Sequence, residues 1–232
     1  MKVFLWVVAV LVVLGGLAWY LVDATSQSVV STTASTSLEA YGLGTTTAST
    51  TNTGTAPTSE DYSPTTNIDL SKVMSATLHT SMGDITVEFY PDQAPGTVEN
   101  FIKLASQGFY DGTKFHRVIK GFMDQGGDPL TKDDSKAAVW GTGGPGYTIP
   151  DEFGTKYTNT AGTLAMANTG QPNSGGSQFF INAVDNHFLD GKYTVFGHVT
   201  AGMDVVTAIN NTPVDGNDRP LTPVVLKSIT LQ

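Results

Sequence analysis

Roughly half of the residues between Asp23 and Asn67 are Ser or Thr, none is Lys or Arg, and large apolar side chains are sparse. Such a stretch cannot bury enough surface to offset the entropy of ordering it, so disorder is expected there. This feature confines any packed core to other parts of the 232 residues. Treated as a flexible coil, about 45 residues reach roughly 35–40 Å. The segment reads as a passive spacer; its composition alone does not establish O-glycosylation or wall attachment.

Ahead of the spacer an unbroken apolar run extends from Val3 to Val22, with Lys2 before it and Asp23 after it. Twenty such residues rise about 30 Å as a helix, enough to cross a hydrocarbon core. The charge order favours an N-terminus inside and the bulk of the chain outside the cytoplasm. The reading is therefore a transmembrane anchor over 1–22, a disordered linker over 23–67 and a folded domain over 68–232. A signal peptide cut after Ala24, leaving a secreted protein, is the competing reading. The chain has no cysteine, which excludes a lipoprotein anchor, a disulfide framework, a thiol nucleophile and a thiolate metal site. A net charge of -9 without a basic cluster argues against nucleic acid and anionic headgroups as partners.

Within the folded zone, Ser75–Thr80 and Asp84–Tyr90 read as strands joined by the turn Ser81-Met82-Gly83-Asp84. In the second, Ile85, Val87 and Phe89 alternate with Thr86, Glu88 and Tyr90. Pro95 opens a helix whose stripe is Val98, Phe101, Ile102 and Ala105, and Gly108 ends it. From Phe115 onward short apolar runs alternate with Gly, Pro, Asn and Asp, and a second short helix is expected around Met203–Asn210. Two helices set against many short strands predict a mainly β domain, a closed barrel with plugged ends.

Several chemistries lack their parts. The histidines His79, His116, His187 and His198 are scattered without metal-ligand spacing, so no metal site is expected. Gly141-Thr142-Gly143-Gly144-Pro145-Gly146 satisfies the spacing G-x-G-x-x-G, but Pro145 and then Tyr147-Thr148-Ile149-Pro150 cannot open the helix that a dinucleotide site needs. No nucleophile elbow or Walker lysine is present. What remains is Arg117 among the apolar neighbours Phe115, Val118, Phe122 and Met123, in FHRVIKGFMDQGGD.

That segment, with GTLAMANTGQPNSGGSQFFI (Gly162–Ile181) and NHFLDGKYTVFG (Asn186–Gly197), resembles the cyclophilins over about Ser75 to Leu231. The resemblance implies a closed eight-stranded antiparallel β-barrel capped by two α-helices, prolyl isomerase activity and no cofactor. It implies that Arg117 is the catalytic arginine, oriented by Gln125. Phe122, Met123, Phe180 and Leu189 take the proline ring, Ala167 and Asn168 pair with the residues before proline, and His116 lies beside the groove. Phe188 stands where the best-known members carry an indole, and it keeps an apolar wall but loses an N–H donor. Tyr193 stands where they carry a second histidine, as in bacterial members. Both departures predict weak binding of cyclosporin-type ligands with isomerisation retained. Asp124 replaces an apolar or small residue and is expected to face away from the site. The partners implied are Xaa-Pro segments of folding proteins, with the chain acting as a monomer.

Overall fold

The computed structural model describes residues 72–232. The anchor expected over 1–22 and the spacer expected over 23–67 lie outside the described residues. Among the described residues no helix is long and apolar enough to cross a membrane.

The domain opens with a hairpin of β1 (Ser75–Thr80) and β2 (Gly83–Phe89), paired from Ser75 opposite Glu88 to Thr80 opposite Gly83. Gly83 takes φ 134°, and the Thr80 hydroxyl closes the turn by donating to its carbonyl at 2.6 Å. The alternation holds: Ile85, Val87 and Phe89 are buried, whereas Asp84 and Glu88 are exposed. Helix α1 (Pro95–Ser106) follows, with Pro at its first turn and a glycine at φ 66°, Gly108, just beyond its end. Its N-terminal residue Ala94 offers no side-chain cap. Glu152 supplies one from a distant loop, accepting from the N–H groups of Gly96 at 2.9 Å and Thr97 at 2.8 Å and from the Thr97 hydroxyl at 2.7 Å. A carboxylate at a helix N-terminus both satisfies orphan donors and complements the helix dipole.

The remaining strands are β3 (Thr113–Lys114), β4 (Arg117–Ile119), β5 (Met123–Gly126), β6 (Thr163–Met166), β7 (Phe179–Asn182), β8 (Val195–Ala201) and β9 (Val225–Leu231). Helix α2, Met203–Asn210 as expected, precedes β9. Together the strands form one curled antiparallel sheet ordered β3-β9-β1-β2-β8-β6-β7-β5-β4. The expected closed barrel of eight strands is thus corrected to a nine-stranded sheet whose end strands, β3 and β4, do not pair with each other. The reason lies at Phe115–His116. Phe115 N–H donates to Val224 on the β9 side at 2.9 Å, and His116 N–H donates to Gln125 on the β5 side at 3.0 Å. One short extended segment is therefore split between the two edges of the sheet, and the chain crosses from one edge to the other within two residues.

The main core fills one face of this sheet. Phe101 of α1 is at its centre, with ring centroids 4.9–5.6 Å from those of Tyr110, Phe196, Phe179 and Phe89. Val206 and Ile209 of α2 are fully buried in the same core. A second, smaller apolar cluster of Met123, Ala165, Phe180, Leu189 and Val195 is separate from it.

Candidate active site

Strand register assembles the site. Arg117 pairs with Gln125, Gln125 with Phe180, Phe180 with Ala165, and Ala165 with Val195. Residues directly opposite in an antiparallel ladder point to the same side, so these five form a row across β4, β5, β7, β6 and β8. Met123, two residues before Gln125, shares that side. Val118, Phe179 and Ile181 point the other way and belong to the main core.

Arg117, Gln125 and Phe180 of this row line a cavity of about 300 Å³, together with Phe122, Met123, Ala167, Asn168, Phe188, Leu189 and Tyr193. Its base is apolar: Met123, Phe180 and Leu189 are buried. Phe180 meets Tyr193 edge-on, with centroids 5.5 Å apart, and Phe122 stacks on Phe188 at 5.7 Å. Phe188, 62% exposed, forms the outer wall. Ala167 and Asn168 continue the line of β6 along one margin. The Asn168 amide donates to the Lys192 carbonyl at 2.9 Å and accepts from Gly170 N–H at 3.0 Å, so the side chain is tied down.

His116 is the predicted site residue that the structure leaves out of the cavity. Adjacent residues of an extended chain point to opposite sides, so with Arg117 directed toward the cavity His116 turns inward. It is buried beside Gly141. Burial lowers its pKa below the usual imidazole value, against the opposing pull of the Asp128 charge.

One residue that organises the site was not singled out from sequence: Gln178. Its Nε2 donates to the carbonyls of Gly141 at 3.0 Å and Gly143 at 2.8 Å, and its Oε1 accepts from Gln125 Nε2 at 2.9 Å. Two carbonyl acceptors fix the orientation of the Gln178 amide, and that in turn fixes the Gln125 amide. Gln125 must donate to Gln178 through nitrogen, which keeps its carbonyl oxygen for another donor. The glycine loop that cannot cradle phosphate therefore serves as the anchor of this relay. Asp128 holds the loop, accepting from the N–H groups of Gly141 and, at 2.8 Å, Leu130. The signal for Gln178 was available, since it lies two residues before Phe180 and period two places both on one side.

Asp124 faces away from the cavity, as expected, but into the interior rather than to solvent. Its Oδ1 accepts from Asn210 of α2 at 2.8 Å. Asn210 also donates to Ile119 O at 2.9 Å and accepts from Gly121 N–H at 2.8 Å, clamping the β4–β5 turn to the helix. Burial pushes the Asp124 carboxyl up to about 7, although the Asn210 hydrogen bond acts to lower it. No group of three or more His, Asp or Glu positioned to hold a metal occurs among the described residues.

The arrangement offers a permanent cation and a fixed amide at the rim of an apolar recess, without a nucleophile or a metal cluster. Comparison with known proteins agrees with that chemistry. The family described as cyclophilin type peptidyl-prolyl cis-trans isomerase matches residues 75–231, from the first residue of β1 to the last of β9. Peptidyl-prolyl cis-trans isomerase-like 3 of Dictyostelium discoideum is 45% identical over 159 residues, covering 68% of this chain and 95% of that protein. The probable peptidyl-prolyl cis-trans isomerase A of Mycobacterium leprae is 45% identical over 175 residues, covering 68% of this chain and 91% of that protein. A cyclophilin-type isomerase of Cryptosporidium parvum has a crystal structure similar to this one, with TM-score 0.64 and 32% identity over 69% of this chain and 98% of that one. That enzyme has also been solved in the presence of the dipeptide Ala-Pro. With the family matched across every strand of the sheet and two relatives covered over nearly their full length, this chain belongs to the cyclophilin-type peptidyl-prolyl cis–trans isomerases.

Proposed function

We propose that the cavity takes the proline of Xaa-Pro segments in folding proteins outside the cytoplasm, and that Arg117 stabilises the twisted imide without a covalent intermediate. The observation that carries this reading is the row Arg117–Gln125–Phe180, which sets a permanent cation beside an apolar recess lined by Phe122, Met123, Phe180 and Leu189.

Rotation about a peptide bond meets a barrier of about 18–20 kcal/mol, because resonance gives the C–N bond double-bond character. For Xaa-Pro the two isomers differ by only about 0.5–1 kcal/mol, yet they exchange over tens to hundreds of seconds. No bond has to be made or broken, so the task is to favour the twisted state. In that state the proline nitrogen pyramidalises and gains a lone pair that the planar imide does not offer. A guanidinium aimed at that nitrogen therefore interacts more strongly with the transition state than with either ground state. The apolar recess holds the ring while the carbonyl side turns, and its low polarity strengthens the contact. Arginine suits the role because it stays charged at any working pH. A contribution of about 3–4 kcal/mol corresponds to roughly 10²–10³ in rate.

The location outside the cytoplasm is supported by the apolar run Val3–Val22, the single Lys2 before it and the spacer after it. Cis–trans exchange of a short Xaa-Pro peptide, followed by NMR, tests the chemistry. Faster exchange with the chain, lost at least about tenfold in Arg117→Ala, is the expected result. Peptide binding by both proteins with exchange left at the uncatalysed rate would make the domain a proline-recognition module instead.

A further inference from the structure

Arg117 lies on an edge strand. β4 pairs with β5 on one side, and no strand of the sheet pairs with its other side. The loop between α2 and β9 covers that side, through the hydrogen bond from Val118 N–H to Asp218 C=O at 2.8 Å. Asp218 is held there at φ 62°, a left-handed conformation that few residues with a Cβ adopt. Asp215 maintains the turn. Its carboxylate accepts from the N–H groups of Asn217 at 2.8 Å and Arg219 at 3.0 Å, and its main chain bonds Arg219 and Asp218. The guanidinium of the neighbouring Arg219 is drawn off to the ring of Trp140, 5.2 Å away.

Pinned this way, Asp218 places Oδ2 3.9 Å from Nε of Arg117, with both side chains half exposed. The separation is too long for a direct hydrogen bond and short enough for a charge contact. Among the described residues Asp218 is the acid that the structure pairs with Arg117. Exposed ion pairs add little to stability, so the contact between Asp218 and Arg117 has little return in folding. A return exists in geometry: a carboxylate on the Nε side draws the guanidinium by charge from that side and engages none of its terminal nitrogens.

We propose that Asp218 is a positioning residue for Arg117, biasing the guanidinium by its charge toward the orientation from which it meets the imide nitrogen. The proposal rests on the reading of Arg117 given above, and the experiment separates the two. Asn and Gly both tolerate left-handed φ, so Asp218→Asn and Asp218→Gly remove the charge while the loop keeps its path. With the full chain, kcat for a short Xaa-Pro peptide is expected to fall about threefold to fivefold in each variant, with KM and thermal midpoint little changed. The Arg117 Nε–Hε NMR resonance shifts in both. In an Arg117→Ala background neither substitution has a further effect, because the group being positioned is gone. If Arg117→Ala is slow while Asp218→Asn turns over at the wild-type rate, or if Asp218→Asn costs the same factor with and without Arg117, the positioning role is overturned. If Arg117→Ala itself keeps the wild-type rate, the reading of Arg117 fails and this proposal falls with it.

Discussion

Asp124 occupies β5 between two residues of the site, Met123 and Gln125, yet it is fully buried on the opposite side, with a single carboxylate oxygen bonded to Asn210. A carboxyl raised to about 7 in the fold, against about 3.9 in an unfolded chain, keeps its proton where the unfolded chain has lost it. Between those values the folded state binds more protons, so this residue makes stability fall as pH rises toward about 7. Asp124→Asn is therefore expected to raise the thermal midpoint by a few degrees at pH 8 and to change it little near pH 4, read from melting curves at both. His116 has the opposite sign. Burial depresses its pKa, so the unfolded chain takes up a proton first, and stability is lost as pH falls below about 6.5. At the rim, the resemblance to the best-known cyclophilins implies an indole where this chain has Phe188, a ring with no donor. Titration with cyclosporin is expected to give an affinity weaker than micromolar, while Phe188→Trp tightens it by about tenfold, the worth of one hydrogen bond plus added ring contact.

Helix α1 depends on Glu152 for the cap that Ala94 does not provide. Glu152→Ala is expected to cost about 1–2 kcal/mol in urea unfolding, the usual worth of an N-cap, with little effect on the exchange rate at saturating peptide. This contact also marks where sequence stopped being informative. The hairpin, both helices and the alternation on β2 were legible because each rests on a local period or on Pro and Gly at an element end. The cavity residues were legible through resemblance, since Phe122, Met123, Phe180 and Leu189 taken singly are ordinary core residues. Glu152 on Gly96, Asn210 on Asp124 and Gln178 on Gln125 join residues more than fifty positions apart, and no local pattern encodes them. The split of one strand into β3 and β4 was hidden for another reason: two and three residues are too few for alternation to show.

At the scale of the molecule, the pocket, its relay and the loop over Arg117, as seen among the described residues, all belong to residues 117–219. A truncated chain of residues 68–232 is therefore expected to match the full chain in kcat/KM on a short peptide. A loss on truncation would mean that the N-terminal segment takes part in turnover. The sheet order carries a further consequence for synthesis. β9, made last, does not end up at the margin; it lies between β3 and β1, two of the earliest strands. Neither β1 nor β3 can complete its ladder until Leu231 has left the ribosome, so β1 waits with one edge unpaired and β3 waits without its strand partner. With about 150 residues between Thr80 and Leu231, translation at about 5–20 residues per second makes that wait roughly 8–30 s for the first strand. The sheet is consequently incomplete until β9 has been made, and a nascent chain stalled short of Val225 should remain open to protease along β1 and β3.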